Sequence, residues 1–66
     1  MTALKRKRIE EDITQEALAK QTGIAIRTYK YYESGKRTPN AITVQRLASA
    51  LNTTVGELFP VGEGTA

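Results

Sequence analysis

Between Thr14 and Glu33 the sequence TQEALAKQTGIAIRTYKYYE leaves the chain few ways to fold. Thr14 is a helix N-cap by type, its hydroxyl able to accept an otherwise orphaned backbone N–H, and it predicts a helix over Gln15–Thr22. Ala17, Leu18 and Ala19 supply the expected buried side, Ala19 being small enough to let a crossing helix come close. Gly23 then fits a left-handed C-cap, a conformation that a residue with a Cβ adopts reluctantly. Ile24 is expected to plug the corner, and a second helix is predicted from Ile26 to Glu33. Two crossed helices this short bury no core alone, so the rest of the chain must serve as their support.

Sixty-six residues are enough for one small domain near the lower limit of independent folding. No alternating strand pattern persists, so the expected fold class is all-α: a domain over residues 1–59 and a short flexible C-terminal tail over 60–66. A first helix is expected from Thr2 or Ala3 to Glu11 on a thin apolar content, Ala3, Leu4 and Ile9, with Ile13 just beyond. Leu4, Lys7, Arg8 and Glu11 fall at core-like spacing, so Lys7 and Arg8 must cover apolar surface with their stems or find partners. The clearest apolar stripe, Ala41, Val44, Leu47, Ala48 and Leu51, predicts a core helix over 41–51, with Asn40 as its cap and Asn52 suited to stop it in a left-handed conformation. Thr54 and Glu57 have capping-box spacing and open a one-turn helix whose Val55, Leu58 and Phe59 turn inward or toward a partner.

Charge and chemistry narrow the function classes. Residues 1–37 hold nine Lys or Arg against five Asp or Glu, and the remainder holds one against two, a bias compatible with a polyanion facing the first half. Lys5-Arg6-Lys7-Arg8 could contact phosphate or be a plain solvated run. With no cysteine and no histidine, disulfides, the usual zinc sites and histidine acid–base catalysis are all without their residues. An enzyme is therefore disfavoured, no metal or cofactor is expected, and a chain this short offers no module for a small-molecule ligand. MTALKRKRIEEDIT lacks the apolar core of a signal peptide and no apolar run could cross a bilayer, so a cytoplasmic protein with no membrane partner is expected.

Tyr29 and Tyr32 are three apart and are expected to face the core, while Ile26, Arg27, Thr28, Lys30 and Tyr31 fall on or near the other faces. Arg27 and Lys30 can donate to guanine edges or to phosphate, and Ile26 and the Thr28 methyl can meet a thymine methyl. The plain alternative is an ordinary amphipathic surface. A helix of about eight residues, a turn and a second short helix form the helix-turn-helix pattern, whose second helix can enter a DNA major groove. Gln15 stands with free backbone N–H groups at the start of the first of these helices, an anion site if it faces outward. Ser34-Gly35 ends the second, and Lys36-Arg37 places two positive charges beside that end.

Arg8, Thr14-Gln15-x-x-Leu18-Ala19, Gly23, Glu33-x-Gly35-Lys36-x-x-Pro39, Leu47-Ala48-x-x-Leu51 and Glu57-Leu58-Phe59 together resemble the Cro/C1-type helix-turn-helix family, also called the XRE family, from Leu4 to Phe59. The resemblance implies a compact five-helix, lambda-repressor-like domain that binds double-stranded operator DNA as a homodimer. It places Ile26, Arg27, Thr28 and Tyr31 at base contacts, and Gln15, Ser34, Lys36 and Arg37 along the phosphates, where Lys30 is expected to join them. It also pairs Arg8 of the first helix with Glu33, which gives sense to two charges at core-facing positions. Dimer contacts are expected from Leu51, Val55, Leu58, Phe59 and Val61, residues that could instead close the monomer core. The implied function is sequence-specific transcription regulation, as a repressor on a palindromic operator; the alternative is a protein-interaction module or antitoxin-like partner that keeps the fold. Three departures stand out. Lys7 replaces the usual aliphatic, Ala25 replaces the usual Ser or Thr cap, and Tyr29 and Tyr32 replace aliphatics, their volume expected to be taken up by small neighbours such as Ala41 with the hydroxyls reaching the surface.

Overall fold

Four side chains hold the first turns of four helices. Thr2 accepts from Lys5 N at 3.2 Å, Thr14 from Ala17 N at 3.0 Å, Asn40 from Thr43 N at 2.8 Å and Thr54 from Glu57 N at 3.2 Å, each satisfying an N–H that has no partner inside its helix. The computed structural model describes residues 2–59. Its elements are α1 (Ala3–Glu10), α2 (Gln15–Thr22), α3 (Ile26–Ser34), α4 (Ala41–Ala50) and α5 (Val55–Leu58), and among the described residues there is no strand. The expected tail over 60–66, Val61 included, lies outside the described residues.

Chain reversals follow from local backbone chemistry. Gly23, at φ 74°, closes α2 in the left-handed region, where its N–H donates to Lys20 O and Ile24 N–H reaches back to Ala19 O at 2.9 Å. Gly35 does the same for α3 at φ 83°. Asn52, at φ 57°, turns the chain after α4 as its side chain permits.

α2 packs against α3 and α4, α1 against α3 and α5, and α5 against α4. Tyr29, Leu4, Leu18, Leu47 and Leu51 form the fully buried centre, joined by Ala19, Ala48 and Leu58. Ile13, Ile24, Tyr32, Ala50 and Phe59 pack around them. Each large side chain removed from water in this way contributes on the order of 1.5–3 kcal/mol. No helix among the described residues is long and apolar enough to cross a membrane.

Ile9 is 51% exposed, because Leu4 and Arg8, four apart, define the inward line of α1 and Ile9 lies a residue round from it. Several expectations need correction. Ala17 is exposed; the inward positions of α2 are Leu18, Ala19 and Thr22, whose buried hydroxyl donates to Leu18 O at 2.8 Å. Ala41 is exposed at the start of α4, so it takes up none of the tyrosine volume, and the buried stripe begins at Val44. The Tyr29 hydroxyl does not reach the surface but is buried with a partner. Glu57 does not complete the reciprocal half of a capping box; its carboxylate accepts from the Thr53 hydroxyl at 2.5 Å. α1 and α4 end one residue early, at Glu10 and Ala50, and α3 runs one residue longer, to Ser34.

Candidate nucleic-acid interface

The inward side of α3 is fixed by a carboxylate. Glu33 is 4% exposed and accepts from four donors: Arg8 Nε at 2.8 Å and Arg8 Nη2 at 3.2 Å, Gln15 Nε2 at 3.0 Å and the Tyr29 hydroxyl at 2.5 Å. Arg8 also donates from Nη1 to Ile13 O at 2.6 Å, which ties down the chain between α1 and α2. The Thr2 hydroxyl donates to the Glu33 carbonyl at 2.7 Å. One residue of α3 is thereby bonded to the start of α1, the end of α1 and the start of α2. Every buried side-chain N or O among the described residues has a partner, which is the condition for an internal ion pair to be tolerated.

Titration behaviour follows from this geometry. Burial pushes the Glu33 carboxyl up, but the hydrogen bonds from Arg8, Tyr29 and Gln15, with the Arg8 charge, outweigh it and hold the group below its ordinary value. The hydrogen bond to Glu33 raises Arg8. Burial first, then the hydrogen bond to the Glu33 carboxylate, pushes the Tyr29 hydroxyl far up, so it stays a proton donor at any physiological pH.

The opposite side of α3 faces solvent. Arg27 and Lys30 are exposed, Ile26 and Tyr31 are each 37% exposed, and Thr28 is half-buried. Ser34, Lys36 and Arg37 are exposed where the chain leaves the helix. From residue 26 to residue 40 the sequence contains one acidic residue, Glu33, and that carboxylate is internal. An exposed surface carrying Arg27, Lys30, Lys36 and Arg37 is left with positive charge and no exposed acid among its own residues. The N-cap of α3 is Ala25, which is extended and makes no side-chain cap bond, so the first N–H groups of the helix lack an internal acceptor.

Gln15 is half-buried, with one amide hydrogen engaged by Glu33 and a second remaining on the same nitrogen. The 5–8 cluster divides. Lys5 and Arg6 are exposed, Arg8 is internal, and Lys7 lies 3.8 Å from both Glu10 and Glu11, contacts at the surface worth a few tenths of a kcal/mol. Of the residues expected between copies, Leu51 and Leu58 are buried in the chain's own core, Phe59 is half-buried against it and Val55 is 42% exposed.

Beyond the expected Arg8–Glu33 pair, the network takes in Gln15, Tyr29 and Thr2. Tyr29 and Glu33 stand four apart on one helix, which is a signal for a side-chain pair. Thr2 carries no such signal, since its partner lies thirty-one residues on.

The helix-turn-helix family matches residues 4–58 of the chain. The chain is also similar to the cryptic phage CTXphi transcriptional repressor RstR of Vibrio cholerae, with 37% identity over 56 residues, covering 85% of this chain and 50% of that protein. It thus spans half the length of this curated relative. No solved structure matches it significantly.

Proposed function

The chain belongs to the helix-turn-helix family, and from that premise we propose that it is a DNA-binding transcriptional regulator, a cytoplasmic repressor that holds a palindromic operator as a homodimer. The observation that carries this proposal is the sorting of charge across α3: Glu33 is internal and neutralised, while Arg27, Lys30, Lys36 and Arg37 are turned to solvent. A duplex presents base edges in the major groove with phosphates on both sides. Arg27, with Ile26 and Thr28 beside it, would read those edges, and Lys30, Lys36, Arg37 and Gln15 would hold the backbone, with Ser34 joining them once its hydroxyl leaves the Tyr31 carbonyl. A symmetric pair of α3 helices fits adjacent major grooves roughly 34 Å apart. With Leu51 and Leu58 in the protomer core, contact between copies falls to Val55 and Phe59, together with Val61. Similarity to a phage transcriptional repressor supports repression over activation.

Selection of bound duplexes from a random pool tests the proposal. The expected result is an inverted repeat with half-sites one helical turn apart, and binding whose log K falls with log salt by about 0.9 for each phosphate neutralised. A pool with no enriched sequence, together with a flat anisotropy titration at low salt, would refute it.

A further inference from the structure

The chain leaving α3 is folded back onto the helix. Lys36 N and Arg37 N both donate to the Tyr31 carbonyl, at 3.0 and 3.3 Å, and the Ser34 hydroxyl donates to the same oxygen at 3.1 Å. This return brings Arg37 Cζ to 5.8 Å from the centroid of the Tyr31 ring, inside the range of a cation–π contact. The ring is part of the outward side of α3, and among the described residues the Arg37 guanidinium is in no ion pair.

We infer that Tyr31 is a positioning residue for Arg37: its ring carries the guanidinium beside α3, so that the two bind a DNA phosphate as one unit and Tyr31 acts through Arg37, not by touching a base. This rests on the DNA-binding proposal above and assigns Tyr31 a different part within it. An arginine settled over a ring keeps N–H donors free on its far side, in the fork that matches two phosphate oxygens. An arginine on an open loop gives up rotamer freedom when it grips a phosphate; one already resting on a ring gives up less. Lys36, on the same loop, is a point charge with no ring contact among those described. The ring face is what matters, so the phenolic hydroxyl is dispensable.

The test uses the full chain, a labelled duplex of the most enriched selected sequence and a second duplex of random sequence. Tyr31→Leu is expected to weaken both duplexes by a similar factor, roughly two- to fivefold, the strength of an exposed cation–π contact. Tyr31→Phe should bind within about twofold of the parent, since it keeps the ring. In an Arg37→Ala background, Tyr31→Leu should cost nothing further. Loss from the selected duplex alone, or losses that multiply in the double variant, would overturn the inference. A second measurement needs no DNA: the side-chain CH2 protons of Arg37 should be shielded by the Tyr31 ring current and lose that shielding in Tyr31→Leu. Absence of shielding in the parent chain overturns the contact itself. A parent that binds neither duplex while the shielding persists overturns the DNA proposal and the phosphate role with it, leaving a surface contact only.

Discussion

Glu33→Gln changes the internal carboxylate by one heavy atom and should cost the domain a large part of its stability. In the parent, Oε2 accepts from Arg8 Nε and the Tyr29 hydroxyl, and Oε1 from Arg8 Nη2 and Gln15 Nε2. An amide offers one acceptor oxygen and one NH2 group. The Tyr29 hydroxyl can turn round and accept, and Gln15 can flip. The guanidinium can do neither, so Arg8 loses a hydrogen bond and its counter-charge in either amide orientation. Removing one partner of a buried pair typically costs about 3–5 kcal/mol. Arg8 has 13% side-chain exposure and keeps its 2.6 Å bond to Ile13 O, which places the expected loss near the lower end, about 3 kcal/mol. A chain of this length has a total stability of about 3–10 kcal/mol, so the variant should melt about 12–24 °C lower.

Urea unfolding followed by circular dichroism across the acid range separates this mechanism from a general packing defect. The folded-state pKa of Glu33 is depressed, so its contribution is fully present above the unfolded value of about 4.3 and is lost as pH falls through the folded value. Glu33→Gln has no such titration. The stability gap between parent and variant should therefore be widest near neutrality and close as the pH drops below about 4.3. A neutral-pH gap under about 1 kcal/mol, or a gap that stays constant into acid, would show that the carboxylate is not the element holding Arg8.

Ala25→Ser supplies the acceptor that α3 lacks at an extended, exposed N-cap position, and should stabilise the fold by about 0.5–1 kcal/mol in the same urea assay; no gain would mean the helix start is satisfied some other way. Arg27→Ala and Lys36→Ala should part company in competition binding: the first relaxes sequence preference by about 1–3 kcal/mol at one base position, and the second weakens all duplexes and lowers the salt slope by about one. Val55→Asp puts a charge on an exposed residue in the first turn of α5, where the helix dipole tolerates it, so the protomer should stay folded while sedimentation shows a monomer; a dimer unchanged by it would move the contact elsewhere.

What was legible in the sequence is what local chemistry decides. Thr14, Asn40 and Thr54 cap helices, and Gly23 ends one, through bonds that span three to five residues, so residue type and spacing suffice. The apolar stripe of α4 was readable from Val44 onward for the same reason, and it failed only at Ala41, where the helix has not yet reached its neighbours. α1 was harder. Its inward line, Leu4 and Arg8, includes a charged residue, and the spacing that marks it also takes in Lys7, which is half-buried, and Glu11, which lies in solvent. The Arg8–Glu33 contact came into view through family resemblance and not from the residues, because nothing in a sequence states that positions twenty-five apart meet. Thr2 and the Arg37–Tyr31 contact depend likewise on where the chain is brought by other elements.

The polar centre also answers a geometrical problem that apolar packing leaves open. α3 has nine residues, a capless start and exposed charges that, under the proposed function, must point in one direction for the helix to read a groove. Tyr29 on its inner side lies in one buried cluster with Leu4 of α1 and Leu18 of α2, but dispersion contacts are nearly non-directional and would tolerate a modest roll of the helix about its axis. Hydrogen bonds tolerate far less, since they weaken steeply with misalignment. Glu33 is held from α1 by Arg8 and from α2 by Gln15, and its backbone carbonyl is held by Thr2. These donors approach from separate elements, so a roll that improved one bond would lengthen another. The tyrosine at position 29 adds a fourth donor from within α3 itself, where an aliphatic would fill the space and hold nothing. The buried charges thus limit the roll of α3. Glu33→Gln, which loosens Arg8 while Gln15 and Thr2 keep their bonds, should shift the backbone amide resonances of Arg27 and Lys30 under conditions where it remains folded; unchanged resonances would refute the coupling.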